Sequence, residues 1–97
     1  MAQHGLNLSW TAPAGADSAV SYNVYRGTVT GGPYAKINTA PVTATTYLDT
    51  TGVAGTEYFY VVTDVDSKGF ESAYSTEANG VFPASPNAPS GLTITII

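Results

Sequence analysis

The sequence has no cysteine, only three basic residues and no long apolar run, and each of these features removes a class of protein. Without cysteine there is no disulfide framework, so stability must come from packing alone. Arg26, Lys36 and Lys68 are too few to neutralise a run of phosphates, and we expect no nucleic-acid partner. No stretch approaches the roughly 20 apolar residues of a membrane span, and we expect no membrane association.

The remaining composition is that of one folded domain. A chain of 97 residues is large enough for a single two-layer core and too short for a second one. Hydrophobic residues make up 43% of the chain and charged residues only 10%, which favours a folded over a disordered chain. We therefore interpret most of the sequence as one compact unit.

Apolar and polar residues alternate along the chain, which predicts strands, and no stretch has helical spacing. The runs that we interpret as strands cover residues 6–10, 20–25, 34–38, 45–49, 56–66 and 73–81. Gly, Pro, Asp and Asn separate these runs at intervals of about 8 to 12 residues, as expected of an antiparallel sandwich. In the longest run, Tyr58, Tyr60 and Val62 should face inward, leaving Phe59, Val61 and Thr63 on the other face.

Four motifs in order resemble the fibronectin type III family, most closely its bacterial branch in secreted multi-modular proteins. They are Trp10, the strand Val20-Ser-Tyr22-Asn-Val24-Tyr25-Arg26-Gly27, Tyr47-Leu-Asp49, and Ala54-Gly55-Thr56-Glu57-Tyr58. The match, from Gly5 to about Pro83, implies an all-β, immunoglobulin-like antiparallel sandwich of about seven strands in sheets A-B-E and C′-C-F-G. It also implies that Trp10 and Tyr22 lie in the core and that Tyr58 is the corner tyrosine, whose hydroxyl bonds to nearby backbone.

Strand A of that family has no counterpart before Gly5, and a strand-A-like pattern occurs at the other end of the chain. We assign residues 1–83 to the sandwich and 84–97 to a Pro-rich exit with a tail, in which Leu92, Ile94 and Ile96 alternate with threonine. Pro83 to Pro89 spans at most about 23 Å, less than the roughly 25–33 Å back to the start of a strand A. We expect the tail to begin a following domain or to be exchanged with a neighbouring copy.

The outer face of the C, F and G strands offers the main candidate for partner binding. Tyr25, Tyr34, Phe59 and Val61 are expected to gather there. Exposed aromatic rings stack on sugars or anchor a protein partner. The alternative, which we favour, is that these side chains only stabilise the sheet or pack against a neighbouring module.

The acidic residues suggest one metal site, but a structural role is the simpler interpretation. Asp64, Asp66 and Glu71 have the spacing of part of a calcium loop, whereas a hairpin turn explains them without a metal. A β-bulge before residues 66–69 would let Asp64 reach solvent. The other acids considered are expected to form turns or to solubilise the surface: Asp17, Asp49, Glu57 and Glu77.

No catalytic residue, metal ligand or cofactor site is assigned. His4 is the only histidine, so neither a zinc site nor a Ser-His-Asp arrangement can be assembled. We predict a non-catalytic spacer or protein-interaction module of an extracellular or cell-surface multi-domain protein, with termini at opposite poles. The alternatives are a carbohydrate-binding accessory module and a strand-donating unit that assembles with itself, so the partners considered are neighbouring domains, another protein, a glycan or a second copy.

Overall fold

The computed structural model describes residues 5–12 and 21–83, and these residues form β-strands without a helix. The strands are β1 (Leu6–Ser9), β2 (Ser21–Gly27), β3 (Ala35–Lys36), β4 (Thr46–Asp49), β5 (Glu57–Val65) and β6 (Ala78–Val81). Within these ranges nothing resembles a membrane-crossing helix. The histidine at position 4, Asp17 and the tail residues Leu92, Ile94 and Ile96 lie outside the described residues.

The strands form two antiparallel sheets, which confirms the predicted all-β sandwich. One sheet has the order β1-β4 and the other has the order β3-β2-β5-β6. These correspond to the expected B-E and C′-C-F-G strands, so the described part contains six of about seven strands. Among residues 5–12 and 21–83, no strand pairs with the second edge of β1.

The core lies between the sheets and is built from the inward positions of the alternating strands. Val24 is fully buried, and Tyr58, Tyr60 and Phe82 are at most 5% exposed. The half-buried side chains that pack against them are Leu6, Leu8, Trp10, Ile37, Val42, Tyr47 and Val62. The ring of Trp10 meets the ring of Tyr22 edge to face at a centroid distance of 5.3 Å. Three of these four buried residues are therefore aromatic, and Val24 is the exception.

A buried ion pair joins the two sheets, and it corrects our interpretation of Asp49. That residue is only 2% exposed, so it is neither a solubilising group nor a simple turn former. Its Oδ2 accepts hydrogen bonds from Arg26 at 2.9 Å and from the Tyr60 hydroxyl at 2.6 Å. Its Oδ1 accepts both the backbone amide and the hydroxyl of Thr51. Since Asp49 belongs to β4 and the other two side chains to β2 and β5, the pair connects the two layers.

These contacts decide the charge state of the pair. Burial alone would raise the pKa of Asp49, but the hydrogen bonds from Tyr60, Thr51 and Arg26 outweigh it and lower that pKa below its ordinary value. Burial and the hydrogen bond to Asp49 raise the pKa of the Tyr60 hydroxyl. At neutral pH the carboxylate is therefore ionised and the phenol is neutral.

Tyr58 holds the connection between β4 and β5 against the core. Its hydroxyl accepts the backbone amide of Val53 at 2.7 Å, and the Arg26 guanidinium lies 4.5 Å from its ring centroid. Gly52 packs against the rings of Tyr58 and Phe82 so closely that a Cβ atom would lie 2.8 Å from Tyr58 Cε2 and closer still to Phe82. The glycine is therefore required by the close approach of backbone and rings.

Two predictions about the edge strand and its turn were wrong. The last strand covers only Ala78–Val81, because Ser72 and Ser75 replace part of the backbone pairing upstream. Their hydroxyls accept the β5 amides of Asp64 and Val62 at 3.0 and 2.9 Å. The expected bulge is absent from the pairing of β5 with β2, which runs residue by residue along its whole length. The extra residues lie instead in the segment opposite β5, between the pairs Tyr60–Ala78 and Val65–Glu71.

The described chain enters and leaves the sandwich at the same end. A Cβ atom on Gly80 would lie 3.4 Å from a Leu6 methyl group, so the end of β6 lies beside the start of β1. Gly5 and Pro83 therefore lie at the same end of the sandwich, whereas the ends of the chain, which were expected at opposite poles, lie outside the described residues.

The tight packing at Gly52 gives a test of the core. We expect Gly52→Ala to destabilise the fold by about 1–3 kcal/mol, since the added methyl group overlaps two aromatic rings. The matched control is Gly80→Ala, whose methyl group would make only ordinary contact with Leu6 at 3.4 Å. Urea unfolding of both variants measures the difference, and equal effects would contradict this account of Gly52.

The lowered pKa of Asp49 predicts a pH-dependent contribution to stability. The contribution is complete above the ordinary pKa of about 4 and is lost as the pH falls through the lowered value. Asp49→Asn should cost about 3–5 kcal/mol at neutral pH, because the amide carries no charge to pair with Arg26 and has one acceptor oxygen in place of two. Urea unfolding at neutral pH and at about pH 3 should show the difference from wild type shrinking in acid.

The control for this measurement is Glu57→Gln, which removes an exposed carboxylate. We expect that change to alter stability by no more than about 0.5 kcal/mol. A gap between wild type and Asp49→Asn that stays constant with pH would show that the ion pair does not carry the acid sensitivity.

Candidate functional site

The most distinctive surface is a row of tyrosines on the side of the four-stranded sheet that faces away from β1 and β4. The ring of Tyr74 meets the ring of Tyr25 at 5.2 Å and the ring of Tyr34 at 5.3 Å, both edge to face. Tyr74 is 52% exposed and lies in the centre of the row. With the acids Glu71 and Glu77 at its two ends, we call this surface the tyrosine–glutamate face.

Glu77 anchors one end of this face. Its Oε1 accepts the Tyr34 hydroxyl and the backbone amide of Gly31, and its Oε2 accepts the Thr30 hydroxyl at 2.7 Å. The hydrogen bonds from Tyr34 and Gly31 lower the pKa of Glu77, and the bond to Glu77 raises the pKa of Tyr34. The loop that precedes β3 is thereby tied to the segment that leads into β6.

Glu71 anchors the other end in the same way. Its Oε2 accepts the hydroxyls of Thr63 and Tyr25 and the side-chain amide of Asn23. The hydrogen bonds from Thr63, Tyr25 and Asn23 lower the pKa of Glu71, while the bond to Glu71 raises the pKa of Tyr25. Both carboxylates therefore stay ionised at neutral pH, and both tyrosines stay neutral.

The structure separates the four residues predicted for partner binding. Tyr25 and Tyr34 belong to the tyrosine–glutamate face, and Phe59 is half-buried on β5 opposite Gly27. Val61 is only 3% exposed, so its side chain supports the face from beneath and offers no contact to a partner. Tyr74 was not assigned to this surface from the sequence. Residues 72–77 pair through serine side chains and do not alternate with a period of two, so the pattern gave no sign of which way Tyr74 faces.

Two of the three acids considered for calcium binding, Asp66 and Glu71, accept hydrogen bonds from the protein itself. Oδ1 of Asp66 accepts the backbone amides of Lys68 and Phe70, both at 2.9 Å, which closes the turn between β5 and the following segment. Glu71 is held in the tyrosine–glutamate face. In the part of the chain that the structure describes, no three His, Cys, Asp or Glu side chains lie close enough to hold a metal.

A second surface is an apolar groove of about 480 Å³ between the free edge of β1 and the β6 side of the larger sheet. We call it the edge groove. Its apolar lining comes from Leu6, Leu8, Trp10, Tyr60 and Val62. The indole Nε1 of Trp10 is buried and has no hydrogen-bond partner among the described residues. A buried donor without an acceptor is unfavourable by about 1–3 kcal/mol, which makes this groove unlike a finished surface.

These geometries suit binding rather than bond cleavage. The tyrosine–glutamate face combines exposed ring surface with ionised acceptors, a combination that stacks on rings and accepts hydrogen bonds from hydroxyl groups. Both carboxylates receive hydrogen bonds from neutral donors and have lowered pKa values, whereas a general acid needs a raised one. The edge groove offers apolar surface and a free strand edge.

The topology, the corner tyrosine and the interlayer core define an immunoglobulin-like β-sandwich domain. A Fn3-like protein from Clostridium thermocellum, whose crystal structure is known, is 42% identical and superposes with a TM-score of 0.70. The match covers 88% of this chain and 83% of that one. The chain belongs to the fibronectin type III-like family. No family model matches the sequence.

Relatives of this chain are short stretches of much longer proteins. An amylopullulanase from Thermoanaerobacter thermohydrosulfuricus is 49% identical over 81 residues, which are 84% of this chain and 5% of that protein. A poly(3-hydroxybutyrate) depolymerase from Delftia acidovorans is 42% identical over 72 residues, which are 74% of this chain and 13% of that protein. The chain thus spans only a small fraction of these curated relatives.

Proposed function

We propose that this chain is a non-catalytic interaction and spacer module of an extracellular or cell-surface multi-domain protein. The observation that carries the proposal is that similar sequences occur as 5% of an amylopullulanase and 13% of a poly(3-hydroxybutyrate) depolymerase. The names of these two relatives denote different chemistries. A part that both share is better explained by a role in organising domains than by either reaction.

The described surface supports this proposal. The ionised acids on the surface accept hydrogen bonds from neighbouring side chains and amides. The aromatic side chains of the core pack against one another between the sheets. Neighbouring domains are then the first partners, joined through the end of the sandwich where Gly5 and Pro83 lie. The extracellular or cell-surface location rests on the resemblance to modules of secreted multi-modular proteins.

A direct test asks whether the chain alone changes either polymer. We expect no release of reducing ends from pullulan or amylopectin and no soluble product from poly(3-hydroxybutyrate), because no described acid is arranged as a general acid. Product that scaled with chain concentration would contradict the proposal. If Glu71→Gln abolished that product and Glu57→Gln did not, the tyrosine–glutamate face would be an active site.

A second candidate function is carbohydrate binding by the tyrosine–glutamate face. Three tyrosines whose rings meet edge to face, with an ionised carboxylate at each end, provide both stacking surface and acceptors for sugar hydroxyls. The resemblance to a segment of an amylopullulanase makes an α-glucan the first ligand to try. The occurrence of the module in a depolymerase of a polyester argues for a more general role.

Affinity electrophoresis in gels containing pullulan tests this candidate. If the face binds glycan, the chain is retarded, and Tyr74→Ala weakens binding about tenfold, equivalent to about 1.4 kcal/mol. The matched control is Leu48→Ala, which truncates a side chain that is 46% exposed on the opposite sheet. Equal mobility of the wild type with and without polysaccharide would eliminate the candidate.

A further inference from the structure

The edge groove lies where the smaller sheet is incomplete. The sheet β1-β4 has only two strands, and an isolated pair of strands is marginally stable in water. Its inward side chains Leu6, Leu8 and Trp10 are only half-buried, although they pack against the core. A further strand beside β1 would bury them and complete the layer.

The hydrogen-bonding groups of β1 are ready for such a strand. The amide of Trp10 donates to the Thr45 carbonyl at 3.0 Å, in register with the pairing of Leu8 and Tyr47. In an antiparallel ladder, alternate residues direct their amide and carbonyl to opposite sides. The backbone groups of Asn7 and Ser9 therefore point to the free edge, beside the unpartnered Trp10 indole.

The chain itself carries a segment with the required pattern. Leu92, Ile94 and Ile96 repeat at the same two-residue spacing as Leu6, Leu8 and Trp10, and both sets span five residues. Threonines occupy the intervening tail positions, which suits a strand with one apolar face. The length and the period of the segment thus match those of β1.

The point at which the chain leaves the sandwich decides which copy delivers this segment. The end of β6 lies beside Leu6, as the approach of Gly80 to Leu6 shows. A tail that reverses there runs from the Leu6 end towards Trp10, parallel to β1 and antiparallel to β6. The chain from Pro83 to Leu92 spans about 30 Å when fully extended, which is long enough for the chain to reverse direction. A tail that paired antiparallel to β1 would first have to cross the whole length of the groove.

Tethering adds to this geometric argument. A segment attached to the same chain is present at an effective concentration in the millimolar range, far above that of a second copy in dilute solution. We infer that the edge groove is a strand-binding site occupied by residues 91–97 of the same chain, which join β1 as a parallel third strand. The Trp10 indole then donates to a backbone carbonyl of the tail.

Trp10 is the only tryptophan in the chain, so its fluorescence reports on the groove without a label. The experiment compares acrylamide quenching of the full-length chain with that of Ile94→Asp and Thr95→Asp. We expect Ile94→Asp to increase the quenching constant roughly two- to threefold, because a charge on the apolar face releases the tail from the indole. Thr95→Asp places the same charge on the other face and should match the wild type.

Two further measurements decide between folding defects and alternative occupants. A synthetic peptide of residues 88–97 added to Ile94→Asp should restore low quenching, which a misfolded variant could not show. The mass by sedimentation equilibrium should be that of a monomer, with quenching independent of protein concentration. Protection that disappears on dilution together with a dimer would overturn the inference and assign the groove to the tail of a second copy. Equal quenching of the wild type and Ile94→Asp would overturn it and leave the tail outside the groove.

Discussion

The contact between Arg26 and Asp49 is the constraint on which the arrangement of the two sheets depends. The apolar and aromatic packing that also joins the sheets has no fixed direction. A buried carboxylate must have its donors in place, and Asp49 obtains them from Arg26, Tyr60 and Thr51. Arg26 lies on β2 and Tyr60 on β5, whereas Asp49 lies on β4 in the other sheet. Sliding one layer over the other would therefore leave a buried charge unpaired. The same guanidinium covers the Tyr58 ring, so the layer contact and the corner of the β4–β5 connection are held together.

Alternation and turn residues were sufficient to predict the sandwich, because a strand with one buried face has apolar residues at every second position. Tyr58 and Tyr60 follow this rule. Asp49 does not, since a carboxylate at the end of a strand has the sequence signal of a turn residue. Its partner Arg26 is 23 positions away and meets it only after both sheets have formed. The shortened last strand was missed for a related reason: Ser72 and Ser75 pair through their side chains, and this pairing leaves no periodic pattern. Tyr74 belongs to this same irregular segment, so the centre of the tyrosine–glutamate face could not be located from the sequence.

The tyrosine–glutamate face and the edge groove differ in how complete they are. In the face, the hydroxyls of Tyr25 and Tyr34 donate hydrogen bonds to the two carboxylates, and Tyr74 remains exposed between them. In the groove, an indole N–H and the outward backbone groups of β1 have no partner among the described residues. A ligand at the face adds contacts to a finished surface, whereas a strand in the groove supplies what the smaller sheet lacks. The two surfaces also lie on different sides of the larger sheet, so one can be occupied without blocking the other.

The shared position of Gly5 and Pro83 has a mechanical consequence. When tension is applied at these two points, it pulls β1 and β6 apart from one end, so their contacts break one after another rather than all at once. The folded sandwich adds little to the contour length between these points, whereas the 79 residues from 5 to 83 span roughly 260 Å when fully extended. A chain held at these two points would yield at low force and lengthen greatly, so the sandwich would absorb extension instead of resisting it.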